Sequence, residues 1–92
     1  MMSDKDTSLI VEDAERLLDT VPEYHWLTRN TQAWWSTREI AKGLGVSVNI
    51  VLGWCKSRQI PGAVEYPGRW SIPRSALLIF LAKQHLASLP VE

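Results

Sequence analysis

The side chains of this 92-residue chain that are best suited to chemistry are basic, and they are concentrated in its C-terminal part. Residues 36–92 contain seven lysines and arginines against three glutamates, a net charge of +4. Residues 1–35 contain three basic and seven acidic residues, a net charge of −4. Guanidinium and ammonium groups are common ligands of phosphate, and local charge steers a polyanion more than total charge does. The candidates for phosphate contacts are Arg38, Lys42, Lys56, Arg58, Arg69 and Arg74.

The sequence shows no pattern typical of a catalytic or metal-binding site. Its one cysteine, Cys55, and its two histidines, His25 and His85, do not have the spacing of a zinc site. Cys55 follows Trp54 and is expected to be a small buried hydrophobe, not a reactive thiol. Paired carboxylates, a nucleophile beside a base and a phosphate-cradling loop are also lacking. We therefore expect a protein that is not an enzyme and that has no cofactor, metal or small-molecule ligand.

Length and composition predict a single domain with one modest core, since 46% of the residues are hydrophobic. The longest strongly apolar run, residues 76–82, is much shorter than the roughly 20 residues that span a bilayer. The acidic N-terminus also lacks the basic and then apolar layout of a signal peptide. A cytoplasmic protein without membrane contact is expected.

The N-terminal part predicts one helix from Thr7 to about Thr20, because apolar residues recur there at spacings of three and four. Pro22 ends this helix. No period is evident from Pro22 to Ala33, where we expect an ordered connector whose aromatic residues pack on the body. The apolar stripe of the helix consists of Ile10, Val11, Ala14, Leu17, Leu18 and Val21.

Two helix-start signals coincide around Ser36. Ser36 and Glu39 have the spacing of a capping box, and Trp35 can pack on Ile40 as a hydrophobic staple. A helix is therefore predicted from Thr37 to about Lys42.

A glycine-containing turn and a second helix follow. Gly43 and Gly45 favour a turn with positive φ, and Ser47 is predicted to cap a helix that runs to about Ser57. Two helices around such a turn have the form of a helix-turn-helix, although the same arrangement occurs in proteins that never touch DNA. The residues predicted to face inward on the second helix are Ile50, Val51, Trp54 and Cys55.

Residues 63–72 predict a β-hairpin. The segments Ala63–Glu65 and Arg69–Ile72 are strand-like, and Pro67-Gly68 between them suits the centre of a type II turn. Trp70 and Ile72 are two residues apart on the second strand and so share its inward face, which is why Trp70 is expected to belong to the core.

A third helix is predicted from Ala76 to about Ala87, with Ser75 as its N-cap after Pro73. It carries more apolar residues than one inward face needs, and such a surface is usually an interface. We favour the N-terminal helix of the same chain as its cover, because a body of about 50 residues has a marginal core. The alternative is a second copy or a protein partner that contacts Leu78, Ile79, Ala82 and Leu86. The full stripe is Leu78, Ile79, Ala82, His85, Leu86 and Leu89.

Several short segments between Trp35 and Gln84 form a pattern that is fairly specific for one family when their order and spacing are taken together. They are Ser36–Ala41, Leu44–Ser47, Val51 with Trp54, Arg58–Pro61 and Gly68–Leu77. In these segments the chain resembles the excisionase-like helix-turn-helix family, which is related to MerR regulators. The resemblance implies a winged helix-turn-helix in residues 34–89, mainly α with a small β-hairpin, after an acidic helical extension and connector in residues 1–33.

The resemblance also implies binding to double-stranded DNA. The second helix, residues 47–57, would lie in the major groove, and the hairpin wing, residues 63–72, on the backbone or in the minor groove. We expect an excisionase-like accessory factor for DNA recombination or a small transcription regulator. The alternative is a protein-interaction adaptor that keeps the fold without base readout and binds a partner through its acidic N-terminal segment or its apolar third helix. The evidence for it is Val48, Gly53, Glu65 and the neutral total charge. The acidic N-terminal segment could also compete with DNA for the basic face.

Base-reading candidates lie at the start of the second helix. Asn49 could pair with adenine, and Val48 could touch a thymine methyl group. Similar proteins commonly have arginine or another polar residue at Val48 and Gly53 and an aromatic residue at Leu52, so poor sequence discrimination is expected. The full set of predicted DNA-binding residues is Arg38, Lys42, Ser47, Asn49, Lys56, Arg58, Arg69 and Arg74.

Overall fold

The computed structural model describes residues 10–88, which form five α-helices and one three-stranded sheet. The predicted helix start at Thr7 and the apolar residue Leu89 lie outside these residues. The predicted fold class, a winged helix-turn-helix with an N-terminal helix, is confirmed. The elements in chain order are α1 (Val11–Asp19), a 3₁₀ turn (Pro22–Tyr24), α2 (His25–Thr28), β1 (Trp34–Ser36), α3 (Thr37–Leu44), α4 (Val48–Lys56), β2 (Val64–Tyr66), β3 (Arg69–Pro73) and α5 (Arg74–Ala87).

The first helix of the helix-turn-helix, α3, begins with the predicted capping box. The Ser36 hydroxyl accepts a hydrogen bond from the Glu39 backbone N–H at 3.1 Å, and the Glu39 carboxylate accepts one from the Ser36 N–H at 2.9 Å. The helix ends at Gly45, whose φ of 73° is left-handed. These reciprocal bonds satisfy backbone donors that the first helical turn leaves unpaired.

Gly43 has a different role from the predicted one. It lies inside α3 and is not among the glycines with positive φ, so the helix runs two residues further than predicted, to Leu44. A Cβ atom at Gly43 would lie 2.4 Å from Cδ2 of the Trp26 ring. The absence of a side chain therefore allows the indole of Trp26 to pack on the helix backbone.

The second helix, α4, matches its predicted range but differs in two details. Ser47 occupies the N-cap position without making a side-chain capping bond. Ile50, which was predicted to face inward, is 47% exposed. Val51 and Cys55 alone form the fully buried side of α4, since residues four apart lie on one helix face. The prediction that Cys55 is buried is confirmed, and burial raises the pKa of its thiol.

The wing, which is the hairpin formed by β2 and β3, belongs to a three-stranded antiparallel sheet in the order β1-β3-β2. Strand β3 is central, with Trp35 of β1 opposite Ile72 and Tyr66 of β2 opposite Arg69. Gly68 in the turn has a φ of 81°, as the predicted type II turn requires at that position. The strand β1 was not predicted.

Helix α1 packs along α5 and covers its surplus apolar face. Ala14 and Leu18 of α1 and Leu78 and Ala82 of α5 are all fully buried in one core cluster with the helix-turn-helix. The preferred prediction, a cover from the same chain, is therefore confirmed. The alternative partner surface is corrected accordingly, because Leu78 and Ala82 are not accessible, whereas Leu86 remains 44% exposed.

Helix α5 begins earlier than predicted. Its first residue is Arg74 and its N-cap is Pro73, whose ψ of 140° is extended, so the chain turns from β3 directly into the helix. Ser75 lies within the first turn and is not the N-cap. No helix in residues 10–88 is long and apolar enough to cross a membrane.

The connector between α1 and β1 is ordered, as predicted, and is largely helical. Trp26 packs edge to face on Trp35, with ring centroids 5.4 Å apart. Asp19 at the end of α1 accepts hydrogen bonds from the Thr28 hydroxyl at 2.8 Å and from Arg29 Nε at 3.1 Å. The bonds from Thr28 and Arg29 lower the pKa of Asp19. This carboxylate fixes α2 against the end of α1.

Candidate nucleic-acid interface

The outer side of α4 is open to solvent. Asn49 and Lys56 are exposed there on either side of Gly53, and a Cβ atom at Gly53 would meet nothing within 4 Å. Ser47 is also exposed, at the start of the helix. Because α4 buries its opposite side, it can present this face to a ligand without losing its contacts with the core.

A groove between the helix-turn-helix and the wing carries an arginine from each. We call it the Arg38–Arg69 groove; its volume is about 360 Å³, and Val48, Leu52 and Trp70 also line it. Neither arginine forms a salt bridge within residues 10–88. Arg69 lies over the ring of Tyr66, with its guanidinium carbon 5.3 Å from the ring centroid. Two guanidinium groups that lie together beside α4 in this way are suited to contact a phosphate backbone.

A second groove lies at the C-terminal end of α4. We call it the Lys56–Arg58 groove; it measures about 640 Å³ and extends to the wing residues Glu65 and Trp70. Glu65 and Trp70 also line the Arg38–Arg69 groove, so the two grooves adjoin along the wing. Trp70 packs against the core, as predicted, yet it remains partly exposed to both grooves. The structure therefore brings four of the predicted basic residues to one side of the molecule.

Lys42 does not belong to this group. It is exposed on α3 and lines a separate depression with Glu23 and Tyr24 of the connector. This depression is separate from the two wing grooves, so Lys42 does not extend their basic surface.

Arg74 does not belong to it either, and here the structure corrects the prediction. The Arg74 side chain is 16% exposed. Its Nη2 donates to the Glu15 carboxylate at 2.9 Å and to the carbonyl oxygens of Leu27 and Thr28 at 3.1 and 3.2 Å, and its Nε donates to the Asn30 carbonyl at 2.8 Å. Carbonyls at a helix C-terminus attract a cation. The guanidinium therefore ties α1 and α2 to the start of α5 and is not available to phosphate.

Arg58 is held in an uncommon backbone conformation. Its φ of 62° is left-handed, and it is the one non-glycine residue with positive φ in the described chain. The N–H groups of Arg58 and Gln59 donate to the carbonyls of Cys55 and Trp54, which is the hydrogen-bond pattern of a Schellman cap. Glycine is the usual residue at this position, and Gly45 fills the left-handed position that ends α3. Residues held in a strained backbone conformation of this kind cluster at functional sites.

Replacing Arg58 with glycine is expected to stabilise the fold and weaken DNA binding. The free energy of unfolding should rise by about 1 kcal/mol, because glycine accepts the left-handed conformation without strain. The slope of log affinity for DNA against log salt concentration should fall in magnitude by about one, which corresponds to the loss of one phosphate contact. Urea unfolding and fluorescence anisotropy measure the two effects. Gln59→Gly is the matched control, and it should leave affinity unchanged. An unchanged affinity in Arg58→Gly would show that the side chain does not contact DNA.

Ile50 lies on the exposed side of α4, although the sequence predicted that it faces inward. Its spacing to Trp54 fits an inward stripe, and only the structure shows that the stripe is narrower than the apolar pattern.

Comparison with known proteins agrees with this geometry. Residues 34–85, more than half of the chain, match the family model described as a helix-turn-helix domain. Neither a curated protein nor a solved structure matches the chain. The matched range begins at β1 and ends within α5, so it contains both grooves and all of α4. The chain therefore belongs to the excisionase-like helix-turn-helix family and is a DNA-binding helix-turn-helix protein.

Proposed function

We propose that α4 enters the major groove of double-stranded DNA while the wing contacts the adjoining backbone, in an excisionase-like accessory factor or a small transcription regulator. The observation that carries this proposal is the Arg38–Arg69 groove, in which an arginine of α3 and an arginine of the wing tip lie together beside Val48 and Leu52 of α4. A helix in the major groove lies beside the phosphate backbone, so cations along one of its flanks can hold it there.

Lys56 and Arg58 extend the basic surface along the end of α4. They lie beside the wing, are exposed, and form no salt bridge within the described part of the chain. With Arg38 and Arg69 they give four phosphate contacts per bound molecule. Four contacts correspond to a slope of log affinity against log salt of about −3 to −4.

Base reading in this proposal depends on the first two turns of α4. Ser47 and Asn49 are the exposed polar side chains there, and an asparagine amide can pair with the N6 and N7 groups of adenine. A single amide side chain gives little discrimination between base sequences. The affinity therefore rests mainly on the phosphate contacts.

The test is fluorescence anisotropy with a labelled random-sequence duplex across a salt series. The wild type should show the slope given above, and Arg38→Ala and Arg69→Ala should each reduce its magnitude by about one and weaken binding at moderate salt. Lys83→Ala removes the same charge from an exposed position on α5 and should leave the slope unchanged. Lys42→Ala should behave like this control, because Lys42 lies outside both grooves.

Absence of binding to the duplex even at low salt would contradict the proposal. In that case the alternative of a protein-interaction adaptor becomes the better interpretation, with the exposed strand β2 and Glu65 as its surface. Equal losses in Arg69→Ala and Lys83→Ala would show that the binding depends on total charge and not on the wing.

A further inference from the structure

The first two turns of α4 lack the side chains that most often read guanine. Its sequence from Val48 to Lys56 contains one charged residue, Lys56, in the last position, and no arginine. Arginine or lysine paired with O6 and N7 of guanine is the commonest specific contact in the major groove. The first two turns of the helix, which reach deepest into the groove, offer Asn49 and Ile50 instead.

Ile50 is the apolar side chain on the open face of α4. It is 47% exposed, whereas Val48 and Leu52 are half-buried and line the Arg38–Arg69 groove. Asn49 and Ile50 lie four and three residues before Gly53, so both flank this glycine on the helix surface. Because Gly53 has no side chain and nothing near it, the helix backbone can approach the floor of a groove at that point.

From this arrangement we infer that α4 selects A·T base pairs, with Ile50 in contact with the C5-methyl group of thymine and Asn49 hydrogen-bonded to adenine. The inference rests on the proposed placement of α4 in the major groove. The thymine methyl is the apolar group that a standard base pair exposes there, and it lies on the same edge of the base pair as the adenine N6 and N7 groups. Arg38, Arg69 and Lys56 lie along the neighbouring side of α4, which Val48 and Leu52 form, and their positive charge makes DNA the occupant that suits the helix.

The experiment removes the methyl groups without changing charge or base pairing. Anisotropy is measured with two short labelled duplexes of the same alternating A·T sequence, one with thymine and the other with uracil at every thymine position. The wild type should bind the thymine duplex about fourfold more tightly for each methyl group that it contacts, which corresponds to the burial of one carbon of this size.

Two variants assign the effect to a residue. Ile50→Ala should bind both duplexes with the affinity of the wild type for the uracil duplex, so that its ratio of the two affinities is close to one. Leu86→Ala is the matched control, since Leu86 is a similarly exposed apolar residue on α5, and it should keep the wild-type ratio. Circular dichroism should be unchanged in Ile50→Ala, because the truncated side chain is half exposed.

The outcomes separate this inference from the proposed function. Equal binding of the two duplexes by the wild type would overturn methyl readout while leaving DNA binding intact. A thymine preference that persists in Ile50→Ala would overturn the role of Ile50. Failure to bind either duplex would instead overturn the placement of α4 on DNA, on which the inference depends.

Discussion

Arg74→Ala is expected to lower the free energy of unfolding by about 3 kcal/mol. Arg74 is mostly buried, and its loss would leave the Glu15 carboxylate without its partner and the carbonyls of Leu27, Thr28 and Asn30 without a charged donor. A buried acceptor that loses its donor costs about 1–3 kcal/mol. A loss of this size is a large fraction of the roughly 5–15 kcal/mol that stabilises a native domain.

Urea unfolding followed by tryptophan fluorescence measures this effect, with melting temperature as a second reading. The melting temperature should fall by about 12 °C or more. Glu15→Gln keeps an acceptor for the guanidinium and should cost less than about 1 kcal/mol, since the ion pair is partly exposed. Lys83→Ala controls for the loss of a basic residue. A loss below about 1 kcal/mol in Arg74→Ala would show that these bonds do not stabilise the fold.

Substitution of the two helical glycines by alanine is expected to have opposite effects. In Gly43→Ala the new Cβ would lie 2.4 to 2.6 Å from ring atoms of Trp26, which packs on Trp35 and has little freedom to move. Overpacking of this kind costs about 1–3 kcal/mol and exceeds the gain in helix propensity. In Gly53→Ala the methyl group meets open space, so the helix gains about 1 kcal/mol.

Each glycine variant is the control of the other, because both make the same chemical change inside a helix of the helix-turn-helix. Thermal and urea unfolding should place Gly43→Ala below and Gly53→Ala above the wild type. A stabilised Gly43→Ala would mean that the Trp26 ring can move aside and that the close approach is not essential.

The features that the sequence predicted correctly depend on residues close to one another in the chain. The capping box at Ser36 and Glu39 and the turn at Pro67-Gly68 involve neighbours within four residues, where local hydrogen bonds and backbone preferences decide the structure. The family resemblance then fixed the order of these elements. Residues 34–85 carry that resemblance, and the structure follows it there.

The features that the sequence did not predict depend on distant partners. Strand β1 has three residues, too few for a period, and it forms only because β3 lies beside it. Arg74 has the sequence context of an exposed wing residue, but its partners Glu15, Leu27 and Asn30 precede it by 44 to 59 positions. The outward orientation of Ile50 depends on how wide the contact between α4 and the core is, which the apolar pattern does not specify.

The hypothesis that the acidic N-terminal segment competes with DNA for the basic face cannot be tested by truncation without disturbing the fold. Removing residues 1–30 would delete α1 and α2, expose the buried Leu78 and Ala82, and remove Glu15 from Arg74. Any change in DNA binding would then mix a charge effect with a folding effect. Neutralising the exposed carboxylate of Glu12 keeps α1 and α2 in place, whereas Asp13 is bonded to Arg16 at 3.2 Å and is less suited to this test.

The central position of β3 in the sheet bears on how the protein would choose among duplexes of different shape. Strand β1, which leads directly into α3, holds β3 on one side, so the wing cannot swing independently of the helix that carries Arg38. The backbone positions of Arg38 and Arg69 are thus held relative to each other before DNA arrives, and little backbone entropy is lost on binding. A fixed span between cations favours one spacing of phosphates across a groove, and that spacing varies with base sequence. The shape of the DNA could therefore supply selectivity that the few exposed polar residues of α4 do not.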